Sequence, residues 1–219
     1  MKKIILFPLN GNTKEAIASI TRANQIKPQW KIVSIIDHND AILESQYFGI
    51  EICNDVEKSL AAHPGASLLA VPGSPVSFLK REHAILSLAA KEEAWTTVID
   101  PSAVIADNAK IGKNCLILAN VVIGPSVVLG DHCIVLPNTV IGHDTNIEEY
   151  TILGANVSIS GSCHIGRMCY IATASSVKDN VNIAAQTLCG MGSNIVNSIV
   201  EPNSIVIGNP ARQIGMNKL

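Results

Sequence analysis

Aromatic residues are scarce in this chain, at 4% of its 219 positions. Surfaces that stack nucleic-acid bases depend on aromatic side chains, so the scarcity argues against one. An excess of charge is also missing: 16 Lys and Arg stand against 18 Asp and Glu, a net charge of −2. That balance supplies no basic surface for nucleic acid or an anionic membrane. No apolar run nears the roughly 18 residues of a membrane span. At the N-terminus, Met1-Lys2-Lys3 leads into an apolar segment that Pro8, Asn10 and Gly11 break at once, a pattern suited to a first strand rather than a signal peptide. A cytoplasmic protein is expected. None of the six cysteines forms a Cys-x-x-Cys pair. Four of them, Cys115, Cys133, Cys163 and Cys169, fall at one position of a repeat described next, where free Cys packs as a small hydrophobe. Packing is expected for them, not disulfides or metal.

What the chain has in abundance is a period of six. From Ile99 to Ile183, fifteen consecutive hexads place Ile, Leu or Val at their first position, none out of phase. The fifth position is always small or slender, as in Ala103, Cys115, Val121, Thr139 and Ser175. A hexapeptide period signifies a parallel β-helix. Each hexad supplies one short strand and one corner, and three hexads close a triangular coil. Residues i and i+18 then lie one strand spacing apart, about 4.8 Å. Proteins with this repeat wind it left-handed, against the usual crossover rule. The phase is expected to fail after Leu188, and the N-terminal region and the tail Ile207-Gly208-Asn209-Pro210-Ala211-Arg212 are expected to cap the open prism.

Residues 1–98 have a different texture. Lys2–Phe7 reads as a buried strand, Lys14 to Asn24 as a helix capped by Asn12 or Thr13, and Trp30–Ile36 as a second strand ending at Asp37. A short helix is expected over Val56–Ala62, a third strand over Ser67–Val71 and a helix over Ser77–Glu93. Strands alternating with helices imply a small parallel sheet. The expected fold is therefore an α/β half-Rossmann βαβαβ domain (1–98), followed by an all-β left-handed parallel β-helix domain (99–219).

His143 stands at the third position of its hexad, where the backbone leaves the strand. Imidazole titrates near working pH and so suits removal of a proton from an attacking nucleophile. Asp144 beside it is placed to hold the other ring nitrogen. One coil back is Pro125 and one coil forward is Gly161, so both flanking positions lack a long side chain. That gap offers room for a thioester arm and backbone N–H groups for an oxyanion. The hexads alone leave His143 as either this base or an exposed corner histidine. Surface placement is the default for His132 and His164, while His38, His63 and His83 belong to the N-terminal region. Asp131, Glu149 and Arg167 stack as a solvated charge ladder of little worth.

The α/β start, Asp37, the Asp100-Pro101-Ser102-Ala103 entry to the coils, Gly142-His143-Asp144 and Gly208-Asn209-Pro210-Ala211 together resemble a bacterial sugar acetyltransferase family. It comprises sialic acid O-acetyltransferases and N-acetyltransferases of nucleotide-linked 4-amino sugars. The resemblance spans essentially the whole chain. It implies a homotrimer, acetyl-CoA as cosubstrate, no metal, and His143 with Asp144 as the catalytic pair. It implies an acetyl-CoA groove lined by Gly161, Thr173, Gly190, Met191, Gly208 and Pro210. It further implies a sugar or nucleotide-sugar acceptor near Gly11, Asn12, Thr13, Asp37, His38 and Gly73, for surface glycan synthesis. The chain departs from the family pattern in two places. Ile152 stands where many members have a second histidine, and only Gly11 remains of their glycine-rich first loop.

The expected reaction is N-acetylation of an amino sugar, with O-acetylation of a sialic-acid-like sugar as the alternative. Two other classes compete. A zinc hydratase on hexapeptide coils needs three convergent histidines, and spacings of 11 and 21 between His132, His143 and His164 do not supply them. A non-catalytic trimeric assembly protein would have no use for an intact His143-Asp144 pair. A nucleotidyltransferase is disfavoured because the first loop lacks a glycine-rich, basic signature.

Overall fold

The computed structural model describes residues 1–39 and 46–217. The chain starts with β1 (Lys2–Phe7), whose last four residues are buried. Helix α1 (Gly11–Ile26) follows, burying Thr13, Ala16, Ser19, Ile20 and Ala23 on one face. It starts earlier than expected because Asn10 is the cap: its side-chain oxygen accepts the Thr13 N–H at 2.9 Å. Asn12 and Thr13 are committed elsewhere. The Asn12 amide donates to Val71 O and Gly73 O, and the Thr13 hydroxyl donates to Pro8 O.

Strand β2 (Trp30–Ile36) agrees with the sequence. A hairpin of β3 (Gln46–Tyr47) and β4 (Ile50–Cys53) was not anticipated. Helix α2 (Val56–Ala62) and strand β5 (Ser67–Ala70) complete the sheet, in the order β3-β4-β2-β1-β5. β4, β2, β1 and β5 run parallel, and the chain adds strands to one side of β1 before crossing to the other. The single helix expected over Ser77–Glu93 is replaced by a 3-10 turn (Phe78–Lys80), a short α3 (Arg81–Leu86) and a second 3-10 turn (Glu92–Ala94). Ala89, at φ 47°, stops α3 in the left-handed region, and its N–H returns to Leu86 O.

The coils run from β6 (Val98–Ile99) to β22 (Asn194–Ile195) as short strands in three parallel sheets, a left-handed β-helix. Paired strands stand three hexads apart, as in Val122↔Val140 and Ile123↔Ile141. First and fifth positions fill the interior, from Cys115 and Ile117 to Val181 and Ile183. Burying one such aliphatic side chain is worth about 1.5–3 kcal/mol. The five coil cysteines are free and buried in this column. The phase does not fail at Leu188: Cys189 and Ile195 hold first positions at 0% and 1% exposure. Shortening begins afterwards, where Leu188 pairs with Ile205 instead of the position three full hexads on, and the antiparallel hairpin β23 (Ser204–Gly208) and β24 (Ala211–Met216) closes the first face.

The three faces differ on their outer side. The first face carries Leu116, Ile134, Ile152 and Tyr170, all buried in one core with Ile4, Leu6, Ile20, Leu69 and Phe78 of the α/β region. The α/β region therefore lies along the first face, where a cap over the open prism was expected, because Leu116, Ile134, Ile152 and Tyr170 give that face an apolar outer side. The edge between the third and first faces adds His132, Tyr150 and Met168, all at positive φ. Asn114, at the same position of an earlier coil, extends this column. Its amide pairs with both Ala70 N and Ala70 O.

Two further ties cross this junction. Arg81, 1% exposed, donates to Tyr150 O, His132 O and Pro72 O, with no carboxylate partner among the described residues. Burial pulls its pKa down to about 10, so it stays charged at neutral pH. On the opposite flank, Arg22 of α1 pairs with Asp100 at the coil entry. Burial works to raise the Asp100 pKa, but hydrogen bonds from Ser102 and Arg22 outweigh it and hold the carboxyl at about 2. The charge ladder is also more than a solvated column. Arg167 bridges Glu149 of the coils, at 2.9 Å, to Glu82 of α3, at 2.7 Å, while Asp131 accepts the Lys113 N–H.

Candidate active site on a prism edge

His143 and Asp144 form the corner between the second face, after Val140–Ile141, and the third, before Asn146–Ile147. Asp144 takes φ 57°, in the left-handed region that Asp tolerates better than most residues, and its N–H donates to Pro125 O at 2.9 Å. The Ser162 N–H donates to His143 O at 2.8 Å, so neighbouring coils fix the corner from both sides. This turn lets adjacent side chains meet: His143 Nδ1 lies 2.7 Å from Asp144 Oδ2. The carboxylate accepts the Nδ1 proton, which leaves the Nε2 lone pair free. Both side chains are open to solvent, at 64% and 58%.

Gly161 sits directly beneath the imidazole. A Cβ at this position would meet His143 Nε2 and Cε1 at 2.6 Å. The gap read from the sequence is real, and the histidine ring itself fills part of it.

The other expected site residues gather in two separate places. Thr173, Gly190 and Met191 lie at the edge between the first and second faces, joined by the Gly192 N–H donating to Thr173 O. Met191 is 71% exposed. A Cβ on Gly190 would press on Ile207 of β23, next to the Gly208–Pro210 turn. Gly11, Asn12, Thr13, Asp37, His38 and Gly73 meet at the C-terminal ends of β1, β2 and β5. There Asp37 is 8% exposed and accepts the Leu9 and Asn39 N–H groups, each at 2.8 Å. His38 is exposed with its ring 5.3 Å from Phe7, and Gly11 has open space where a Cβ would point. Gly73, at φ 128°, is required by packing: Arg81 and Ile152 Cδ1 occupy the place of its Cβ. Ile152 is thus a buried member of the junction core.

The edge bearing His143 is the one opposite the first face, so the α/β region of the same chain lies on the far side of the prism. His132 is not a surface residue. It stacks on Tyr150 at 4.7 Å, edge-on to Trp95, and its Nδ1 accepts from the Asn114 amide at 2.8 Å. Desolvation by burial lowers its pKa. His164 stands on the third face beside Glu148. Among the described residues, no three His, Cys, Asp or Glu gather to hold a metal. Arg81 and the bulky corner residues were missed from sequence. Their signal was present in the fourth hexad positions, where Asn, Ser and Asp give way at every third hexad to His132, Tyr150 and Met168.

The fold and this edge define a hexapeptide-repeat β-helix protein with an exposed His–Asp pair. More narrowly, the chain belongs to the family described as the GMPPB C-terminal domain, which matches residues 95–208. No curated protein sequence matches the chain. Among solved structures it is similar to a mutant of perosamine N-acetyltransferase from Caulobacter crescentus in complex with CoA and GDP-perosamine. That likeness has a TM-score of 0.83 at 20% identity and covers 98% of this chain and 97% of the other. It is also similar to the acetyltransferase domain of PglB from Neisseria gonorrhoeae in complex with acetyl coenzyme A. Here the TM-score is 0.78 at 20% identity, over 97% and 99% of the two chains. WeeI from Acinetobacter baumannii matches with a TM-score of 0.65 at 17% identity, over 98% and 100%.

Proposed function

We propose that this protein is an acetyl-CoA-dependent acetyltransferase acting on the amino group of a nucleotide-linked amino sugar. The observation that carries the reading is the edge itself: Nδ1 held by Asp144, Nε2 free and laid over Gly161. In the reaction the sugar nitrogen attacks the thioester carbonyl, the carbon–sulfur bond breaks, and free thiol leaves. His143 Nε2 takes the proton from the attacking nitrogen and passes it to sulfur. Asp144 stabilises the imidazolium formed in between. Structures of the same fold, with CoA and GDP-perosamine or with acetyl coenzyme A bound, support this donor and acceptor class.

Donor and acceptor positions follow from the three residue groups. Acetyl-CoA is assigned to Gly161, Thr173, Gly190, Met191 and the Gly208–Pro210 turn. The nucleotide sugar is assigned to Gly11, Asn12 and His38, with the buried Thr13, Asp37 and Gly73 shaping the crevice. We read the α/β region as a half-Rossmann unit, residues 1–98, because the crossover between β1 and β5 forms a switch point of the kind that holds nucleotides. The coils and hairpin, 99–219, form the second domain. The His143 and donor groups lie on different edges of one prism and the acceptor group on the α/β region at its first face, so a complete site needs neighbouring chains, and a closed homotrimer supplies them. The exposed Val104, Val122, Val140 and Val128 on the second and third faces suit such packing. Acetyl-CoA and nucleotide sugars as substrates agree with a cytoplasmic enzyme. No described helix is long and apolar enough to cross a membrane.

The test is thiol release from acetyl-CoA against GDP-, UDP- and dTDP-linked 4-amino sugars and free sialic acids, with product mass measured. Turnover on a nucleotide amino sugar, with one acetyl group added at nitrogen, is the expected result. Acetyl-CoA binding with silence across the amines would move the acceptor to another class.

A further inference from the structure

The proposed reaction makes no use of the end of the α/β sheet at which the parallel strands begin. Four segments meet there: residues 1–3 entering β1, 26–31 between α1 and β2, 63–66 before β5, and 47–50 around the turn from β3 to β4. The Lys2 N–H donates to Gln29 O, which joins the first two. Ile52 pairs with Ile35, so the hairpin turn falls beside the start of β2, and Phe48 lines one groove with Ile32, Thr21 and Arg22. The four segments hold Lys2, Lys3, Lys27 and Lys31, and no Asp or Glu. All four lysines are exposed, and none forms an ion pair among the described residues. Lys3 and Lys31 are register partners on adjacent strands, an unfavourable pairing of like charges about 4.8 Å apart at the backbone. Acids only flank this end: Glu51 on β4, and Glu92 and Glu93 on the coil side, where Glu92 pairs with Lys113. The balanced net charge, which argued against a basic surface, hides this end because the charges are segregated.

Large apolar side chains stand exposed among the lysines. Met1, Ile26 and Phe48 are 74%, 75% and 84% exposed. Trp30 lines an open groove of about 470 Å³ with Lys2 and Pro28, and the Lys2 ammonium stands 6.0 Å from its ring. Phe48 is an unfavourable choice for its place. It and Gly49 take φ of 51° and 76°, a two-residue turn that favours Asn-Gly, and a bulky side chain is strained there. Strain combined with exposure points to a use for the side chain.

We propose that this end docks on the surface of an anionic phospholipid bilayer. The four lysines lie over the lipid phosphates, and Phe48, Ile26 and Trp30 sit at the level of the headgroups. Lysines alone would suit any polyanion; aromatic and aliphatic side chains exposed between them suit the boundary between headgroup and acyl chain. The end also has a definite direction. Arg22, near the end of α1, pairs with Asp100 beside the first strand of the first prism face, whereas Phe78, after β5, meets Tyr170 on the fifth. The sheet thus runs alongside the prism, and its basic end points past the first coil. In the proposed homotrimer, with prisms side by side about the threefold axis, three such ends face one way and bind together. The docking itself does not depend on the acetyltransferase reading.

The experiment is flotation of the full chain with vesicles of phosphatidylcholine alone and of phosphatidylcholine mixed with phosphatidylglycerol, at low and high salt. The expected result is binding to the anionic vesicles only, weakened by salt. The double variant Lys3→Glu, Lys31→Glu should lower the partition by roughly tenfold or more. Phe48→Asn should lower it by about tenfold while melting no lower than wild type, because Asn suits the turn. Binding to neither vesicle, equal binding to both, or an unchanged partition in the double variant overturns the proposal. Retention on heparin without vesicle binding also overturns it, by assigning this end to a soluble polyanion. Each of these outcomes leaves the acetyltransferase reading intact.

Discussion

At the scale of single residues, the site depends on one small contact. Gly161 is where it is because the His143 ring occupies the space of its missing Cβ. Gly161→Ala should therefore push the imidazole off the edge, lowering kcat about a hundredfold with little change in thermal midpoint, because ring and corner are solvent-exposed. Steady-state kinetics and a melting curve check this; wild-type kcat would show that the ring does not need the glycine. The pair itself was readable from sequence, since His143 and Asp144 fall at a corner and Gly161 takes the same corner position one coil on. The roles of Gly73 and Ile152 were not. A glycine at the end of β5 suits a ligand crevice or close packing equally, and its packing is visible only once Arg81 and Ile152 are in place.

At the scale of elements, the decisive structure is the junction between the α/β sheet and the first prism face. Arg81 of α3 supplies the hydrogen bonds of three backbone carbonyls there. Arg81→Met should destabilise the fold by about 3 kcal/mol or more, since buried carbonyls lose their donors. Chemical denaturation measures it, and a loss below about 1 kcal/mol would show that other donors replace the guanidinium. His132 gives the junction a pH dependence. Its pKa is depressed below the ordinary 6.5 by burial, and the Asn114 amide, locked onto Ala70, points a donor at Nδ1. Below about pH 6.5 the unfolded chain takes up a proton that the folded chain resists, so this contribution to stability is full above that pH and declines as pH falls. A thermal midpoint that drops between pH 7 and 5, and drops less in His132→Phe, is expected; identical slopes would remove His132 as the cause. The helical hexads were legible because their period is strict. The break-up of Ser77–Glu93 was not, because an alanine gives no sequence sign that it will take the left-handed φ by which Ala89 stops α3. The β3–β4 hairpin was not either, because its strands are too short to show an alternating pattern.

At the scale of the molecule, the proposed site calls for more than one chain. The His143 edge faces away from the α/β region that would hold the sugar nucleotide, and the second prism face separates it from the other proposed donor contacts. Light scattering should return about three times the 23.2 kDa chain mass, and a monomer at assay concentration that still turned over would refute the shared site. Composition and repeat were enough to anticipate a β-helix preceded by an α/β region, because hexad stacking is a local rule. The proposed sharing of the site between chains rests on which face the α/β region covers. That choice is encoded in the large apolar residues at the sixth position of every third hexad, Leu116, Ile134, Ile152 and Tyr170. The measurement that bears most directly on the account is acetyl transfer to a nucleotide-linked amino sugar by wild type and by His143→Ala. The account predicts that the variant keeps its assembly state and melting point but loses at least a hundredfold in kcat. Turnover within a few fold of wild type would contradict it.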